Sequence, residues 1–223
     1  VVPVKDEEAG LQFLIGDFED SRIDEEYGIK FIFVIDERTS DDSRKFAARL
    51  SKRIIDQSNS HGKGDAIQHA IIHLEEMESK FVIFLDADGS YSFNVVRDVI
   101  YSLKEGADVV SGSRFLNSSS RPKGMSWMHI FGNHLLSFIS SIRNGRKISD
   151  LCTGLWGFTT ESIESMDIKS KGFDLEAELA GLARKGGLRH VEIPVEWSQR
   201  KGGKSKLRSI RDGVIILFRI IRT

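Results

Sequence analysis

The chain has 223 residues, enough for one large domain, or a domain with a lobe added, around a substantial core. Hydrophobic residues make up 40% and charged residues 29%, the balance of a water-soluble globular protein. A formal net charge of -1 argues against a generic nucleic-acid binder, which carries a basic surface overall.

The charge is unevenly spread. Residues 1–42 hold 13 acids and 4 bases, whereas residues 199–223 hold 8 bases and a single acid, Asp212. That basic end calls for an anionic partner, either phosphate or a membrane surface. Cys152 is the only cysteine, so no disulfide forms within the chain and a reducing compartment is expected. The apolar run "VIILF" near the end falls far short of a bilayer span. The chain opens on "VVPV" without a methionine, as a chain trimmed from a longer one would, and a membrane segment outside this window stays open.

In chain order, "KFIFVID" (30–36) is a short apolar run ending in an acid, and "KFVIFLD" (80–86) repeats the form. "ADVVSGS" (107–113) and "LRHVEIPVEW" (188–197) are two more. Between them the patterns predict helices over 41–54, 64–78, 93–105 and 174–185, the last with acids early and Arg184 and Lys185 late. Short β-rich runs alternating with helices predict a mostly parallel sheet covered by helices. Two further helices are expected over 125–143, with Phe131, Leu135, Phe138, Ile139 and Ile142 on one face, and over 207–222. The second gathers Leu207, Ile210, Val214, Leu217, Phe218 and Ile221 in one arc, with Arg208, Arg211, Asp212, Arg219 and Arg222 mainly on the opposite side. Each either packs its apolar face on the core or lies on anionic lipid. "NSSSRPKG" (117–124) reads as a loop.

An open parallel sheet gathers ligands at the carboxyl ends of its strands. Asp36 and the pair Asp86 and Asp88, in "FLDADGSY", occupy that edge, so two strands deliver acids to one crevice. Neighbouring carboxylates repel, and a positive group is expected between them. Alone, "DADG" would be an Asp-rich turn capping a strand; beside Asp36 and Glu7 it reads as a ligand site. "HGKGDAI" is either a phosphate loop, with Gly62 and Gly64 allowing close backbone approach and Lys63 supplying charge, or a turn before a helix. It lacks the Walker A spacing. Arg114 in "SGSRF" can grip phosphate through two N–H groups, and "RKGGKSKL" adds Arg200, Lys204, Ser205 and Lys206.

Taken together, "VVPVKDEE", "FVIDERTSDDS", "HGKGDAI", "FLDADGSY", "VSGSRF", "GNHLLS", "SDLCTGLWGF", "GFDLEAEL" and "VEIPVEWSQRKGGKSKL" resemble the glycosyltransferase family 2 enzymes of the GT-A fold. Within that family the chain is most similar to the dolichyl- or polyprenyl-phosphate mannose and glucose synthases. The resemblance implies an α/β GT-A domain over 1–206, with a mostly parallel central sheet flanked by helices and an interfacial helix at 125–143. It also implies a basic amphipathic C-terminal helix over 207–223 at the membrane surface. The implied reaction is inverting transfer of a hexose from a GDP- or UDP-sugar to dolichyl or polyprenyl phosphate, at the cytoplasmic face of a membrane.

By the same resemblance, Asp86, Asp88 and Ser90 hold Mg²⁺ or Mn²⁺, with Asp88 the first candidate for a direct ligand and Asp86 beside it or on the sugar or nucleotide. Pro3, Glu7, Asp36, Gly62, Lys63, Gly64, Asp86, Ala87 and Asp88 bind the nucleotide-sugar. Asp86, Asp88, Arg114, Arg200 and Lys206 carry the transfer, the three bases through the donor diphosphate and the lipid phosphate. The chain departs from the family at Arg38, where a turn glycine is usual, at Lys5, where an aromatic is common, and at Ser90, where relatives often have glutamine. Around 125–133, where relatives often carry an arginine, it has Met125, His129 and Asn133, so that either Lys123 or His129 substitutes or nothing does. Asp150 is either a general base for a hydroxyl acceptor or a loop-orienting residue, since a phosphate acceptor with a second pKa of about 6 is already largely dianionic. Asp174 and Glu176 either favour a helix N-terminus or reach the pocket. A family 2 enzyme with a hydroxyl acceptor and a catalytically silent nucleotide- or lipid-binding relative are the rival readings.

Overall fold

Short runs of β-branched and aromatic residues form the strands, because such side chains pack well on a pleated, buried surface. The computed structural model describes residues 1–59, 61–116, 122, 124–202 and 209–223. Strand β1 (Val2–Val4) leads into helices α1 (Glu8–Ser21) and α2 (Ile23–Tyr27). Then follow β2 (Phe33–Asp36), α3 (Ser43–Leu50), β3 (Ile54–Gln57), α4 (Lys63–Ile71), β4 (Phe81–Leu85), α5 (Val95–Lys104) and β5 (Val109–Ser113). The remainder is α6 (Trp127–Asn144), β6 (Leu155–Thr159), α7 (Thr160–Glu164), α8 (Leu175–Lys185), β7 (His190–Pro194) and α9 (Ser209–Arg222).

Strands β1, β2 and β3 pair in parallel in that order, and a second sheet runs β4-β6-β5-β7. Backbone hydrogen bonds link the two: the Val1 nitrogen donates to the Ile83 carbonyl at 2.7 Å, and Leu85 N–H donates to the Val1 carbonyl at 3.1 Å. That slanted pattern is parallel pairing, so the carboxyl ends of β1, β2 and β4 share one edge. β6 runs antiparallel to β4 and β5, while β5 and β7 are parallel. Helices cover both faces over two apolar clusters, one around Val34, Phe84, Phe158 and Leu179, the other around Leu11, Phe33, Val99 and Leu155. α5 shows how a helix joins them: Val96, Val99, Ile100 and Leu103, at spacings of three and four, form its buried stripe.

Helix α6 inverts this rule. Its buried residues are Asn133, Ser137, Ser140 and Asn144, whereas Trp127, Met128, Phe131, Leu135, Phe138 and Ile142 are exposed. The polar stripe is used locally: the Ser137 hydroxyl accepts from Leu151 N–H at 2.9 Å, and the Asn133 carbonyl oxygen accepts from Cys152 N–H at 3.0 Å. In α9 only a narrow strip, Ile216 and Ile220, is buried, and Ile210, Val214, Phe218 and Ile221 stay open. α9 packs on α6 and α8, and the inner Arg219 bonds Asp174 at 2.7 Å and Glu178 at 2.9 Å. Two helices therefore leave adjacent apolar faces to the outside.

Several boundaries differ from the sequence-based expectation. The helix expected over 41–54 stops at Leu50, because Ser51 turns extended and the β-branched pair Ile54–Ile55 enters the sheet as β3. The helix expected over 64–78 ends at Ile71, and the chain tightens into a 3-10 turn at Glu75–Met77 before Glu78 adopts φ 49°. α1 and β6 had no sequence-based counterpart. The first was masked by its mixed acidic and apolar pattern, the second by the glycines around Trp156. Most of the loop expected over 117–124, including Lys123, lies outside the described residues.

Candidate active site

The carboxyl edge of β1, β2 and β4 opens into a cleft of about 1100 Å³. Pro3 and Glu7 come to it from the end of β1, Asp36 from the end of β2, and Asp86, Ala87, Asp88 and Ser90 from the turn after β4. Lys63 enters at the first turn of α4, Arg114 at the end of β5, and Arg200 after β7. The structure thus brings nearly all of the expected residues to one cavity. Gly64 is the exception: it packs on the Ser170 carbonyl rather than on the cleft. Lys204, Ser205 and Lys206 lie outside the described residues.

The positive charge expected beside the aspartates is supplied twice. Lys63 Nζ lies 2.6 Å from Asp86 Oδ1 and 2.7 Å from Glu176 Oε1. Burial works against its ammonium, but the two carboxylates outweigh that and raise its pKa. Burial likewise pushes the Glu176 carboxyl up, opposed by Lys63. Arg200 Nη2 donates to both oxygens of Glu7, at 2.6 and 2.7 Å, and its Nη1 lies 3.5 Å from Asp88. Lys201 N–H donates to the Asp88 carbonyl at 2.9 Å, so the segment after β7 is laced across the aspartate turn. The Ser90 hydroxyl and amide both donate to Asp88 Oδ1.

The aspartate turn is held by close packing. A Cβ on Gly10 would stand 2.2 Å from the Ala87 carbonyl oxygen, so only glycine lets α1 approach this closely. A Cβ on Gly154 would fall 2.0 Å from Asp86 Oδ2. The Tyr91 hydroxyl, buried beneath, accepts from Gly154 N–H at 3.0 Å and fixes that neighbour in place.

Two charged pairs stand in the site beside the aspartates. Asp36 is buried, and both its oxygens are taken by Arg38: Oδ1 accepts from the Arg38 backbone N–H and Nε at 2.9 Å each, and Oδ2 from Nη2 at 2.7 Å. Those bonds hold its carboxyl down at about 2. Lys5 and His61 stand 3.7 and 3.5 Å from Oδ2. At the other side, the buried Asp150 accepts from Arg114 N–H at 2.9 Å and Nε at 2.6 Å on Oδ2. On Oδ1 it accepts from Arg114 Nη2 at 2.7 Å and Asn133 Nδ2 at 3.0 Å. A carboxylate has about four lone-pair sites, and here all four are used. Burial drives the neighbouring Cys152 thiol up to about 12.

The cleft also has an apolar arm. It is lined by Met128, Leu135, Leu136 and Ile139 of α6 and by Ile210, Val214 and Leu217 of α9, and it shares Met128, Leu135, Ile210 and Val214 with the open faces of both helices. Sequence reasoning missed Arg38 as a partner of Asp36. It also missed Gln57, whose amide bonds the Gly62 carbonyl at 2.9 Å and Asp65 at 2.7 Å to set the loop before Lys63. The Lys63–Glu176 contact spans 113 residues and has no local signal beyond the acids of "GFDLEAEL".

Comparison with known proteins gives a consistent picture. The sequence pattern of the family described as "Glycosyl transferase family 2" matches residues 1–166. The glycosyltransferase AglJ of Haloferax volcanii is 30% identical over 223 residues, covering all of this chain and 70% of that protein. The dolichyl-phosphate beta-glucosyltransferase of Saccharomyces cerevisiae is 25% identical over 215 residues, covering 84% of this chain and 63% of that one. Among solved structures, glucosyl-3-phosphoglycerate synthase from Mycobacterium tuberculosis, crystallised with Mn²⁺, UDP-glucose and phosphoglyceric acid, superposes with a TM-score of 0.71. The match covers 99% of this chain and 77% of that one at 14% identity, and supports the GT-A fold.

Proposed function

The chain belongs to glycosyl transferase family 2, and from that premise we propose that it moves a hexose, glucose or mannose, from a nucleoside diphosphate sugar to a polyprenyl phosphate at a membrane surface. The observation that carries this reading is the mixed lining of the cleft. One cavity is lined by the aspartate pair, by Arg114 and by an apolar arm from α6 and α9, whose outward faces are themselves apolar. A phosphate with a long hydrocarbon tail fits such a site, with its charge beside Arg114 and its chain along the arm. The relatives named for dolichyl phosphate are in keeping with that acceptor.

The donor's diphosphate belongs beside Asp86 and Asp88. Their carboxylates, with Ser90 next to Asp88, form the oxygen-only donor set that Mg²⁺ or Mn²⁺ prefers. Among the described residues no third acidic or histidine side chain joins them in a cluster, so the fit is to a cation shared with the phosphates of the donor. When bound, such a cation neutralises the charge that builds on the departing diphosphate. Lys63 and Arg200 neutralise the two aspartates in the structure described here; on donor binding they are placed to turn to phosphate oxygens. Arg114, Arg200 and, from its sequence position, Lys206 are assigned to the donor and acceptor phosphates, giving electrostatic positioning rather than bond chemistry.

The acceptor phosphate attacks the anomeric carbon opposite the leaving group and inverts it. No protein base is required, because the phosphate is already ionised at neutral pH. That agrees with an Asp150 whose oxygens are all engaged, and it weighs against a hydroxyl acceptor using Asp150 as base. The outward apolar residues of α6 and α9, with Arg211 and Arg222 beside them, are proposed to lie in the headgroup region of an anionic bilayer.

An acceptor comparison tests this. With Mn²⁺ or Mg²⁺ and each labelled UDP- or GDP-hexose, label is expected to enter polyprenyl phosphate and not polyprenol or soluble sugars. Transfer to a hydroxyl acceptor, with none to lipid phosphate, would overturn the acceptor assignment and leave the family intact.

A further inference from the structure

The buried carboxylate at the end of β2 is closed off by a side chain of its own loop. Arg38 binds Asp36 side-on, through Nε and Nη2, and the Arg38 amide takes a further lone pair. Lys5 and His61 crowd the remaining one. Asp36 therefore has little capacity left to accept a hydrogen bond from a ligand. All four residues line the same cleft as Asp86 and Asp88.

A guanidinium carries five N–H donors in a rigid plane. Two of them are spent on Asp36. Among the described residues Arg38 donates no other side-chain hydrogen bond, so the edge shared by Nη1 and Nη2 still offers a second, parallel pair of donors. Asp36 holds that plane in a fixed orientation, and the Arg38 side chain is 48% exposed, within reach of a ligand in the cleft. A donor whose diphosphate sits at Asp86 and Asp88 shares one cavity with this β1–β2 edge and can place its nucleoside there.

We infer that Arg38, rather than Asp36, reads the base of the donor nucleotide, and that it selects a base with two adjacent acceptors. Guanine presents that pattern at O6 and N7, the pair that arginine recognises through two N–H groups. Uracil does not: its O4 and O2 flank an N–H, which opposes a fork of donors. A free aspartate would accept from the ring N–H of either base and separate them poorly. The inference rests on the glycosyltransferase reading, and names the donor class for that site.

Titration calorimetry with Mn²⁺ tests it, using GDP, 7-deaza-GDP, UDP and the base-free ribose 5-diphosphate against wild type and Arg38→Gly. One charge-assisted hydrogen bond corresponds to roughly a ten- to hundredfold change in affinity. Wild type is expected to bind GDP at least about tenfold tighter than UDP, with 7-deaza-GDP weakened toward UDP. In Arg38→Gly the gap between GDP and UDP should close while ribose 5-diphosphate binds as before. Arg38→Gly is matched to the residue usual at this turn and should fold; an unchanged melting temperature confirms that. Equal or tighter UDP binding by wild type, a GDP preference that survives Arg38→Gly, or tighter binding of both nucleotides by the variant would each overturn the inference. The last would make Arg38 a plug over Asp36. If no diphosphate binds wild type with metal, the glycosyltransferase reading fails first.

Discussion

Replacing Asp150 by Asn separates the two roles open to that residue. The carboxylate is fully buried and its partner Arg114 is only 10% exposed, so the charges have little solvent to fall back on. An amide in its place keeps the shape but turns an N–H₂ group toward a guanidinium and removes the negative charge. Arg114 would retain the Cys152 carbonyl, at 2.7 Å, as its other partner. Breaking a buried pair by removing one member costs about 3–5 kcal/mol. For a domain of this size that is a fall in melting temperature of roughly 6–20 °C. Thermal and urea unfolding of wild type, Asp150→Asn and the double replacement Arg114→Met/Asp150→Leu provide the assay. The double variant should be more stable than the single one, because it leaves no charge unpaired. A single variant that melts within about 2 °C of wild type but loses transfer by 10²-fold or more would refute the reasoning and restore Asp150 as a general base.

Other outcomes follow from the same geometry. Gly154→Ala puts a methyl where Asp86 Oδ2 now sits, so Mn²⁺-dependent nucleotide affinity should fall by about tenfold or more, and unchanged affinity in a calorimetric titration would contradict it. Lys63→Met leaves Glu176 buried without its cation. Because burial already raises the Glu176 pKa, protonation favours the folded variant, and its stability deficit should widen as pH rises from about 4.5 toward 8; a pH-independent deficit in urea unfolding would oppose this, and Glu176→Gln should restore much of the loss. With its thiol held at about 12, Cys152 should react slowly with a disulfide reagent at pH 8 and rapidly after denaturation; fast labelling of the native protein would show a more open thiol.

The sequence made some parts of this molecule legible and hid others for physical reasons. Strands β2 and β4 are contiguous apolar runs, β5 opens on a shorter one and β7 alternates, and the acids at the ends of β2 and β4, Asp36 and Asp86, mark the cleft edge directly. β6 was illegible as a strand because Gly154 precedes it and Gly157 interrupts it. The first glycine gives way to Asp86, and at the second a Cβ would fall 2.2 Å from a Val99 methyl. The apolar periodicities of α6 and α9 were plain, but periodicity does not say whether an apolar face meets the core or the outside. The decisive residues were the polar ones: Asn133, Ser137 and Ser140 face inward, where they bond the 148–152 loop and their own helix. At the site, the aspartates, Lys63 and Arg200 could be named from motifs, whereas their pairing could not. Arg200 meets Glu7 across 193 residues, and such contacts are fixed by the tertiary fold alone. Arg38 stood out only as a missing glycine; its grip on Asp36 needed the loop's actual course.

The most direct test of the account follows the sugar itself. Wild type and Asp88→Ala would be incubated with Mn²⁺ or Mg²⁺, a short polyprenyl phosphate and each hexose-labelled UDP- or GDP-sugar, and label counted in the lipid phase. One donor is expected to label the lipid with wild type, and Asp88→Ala to abolish that transfer while keeping its fold. Label that never leaves the aqueous phase with any donor, or transfer that survives in Asp88→Ala, would contradict it.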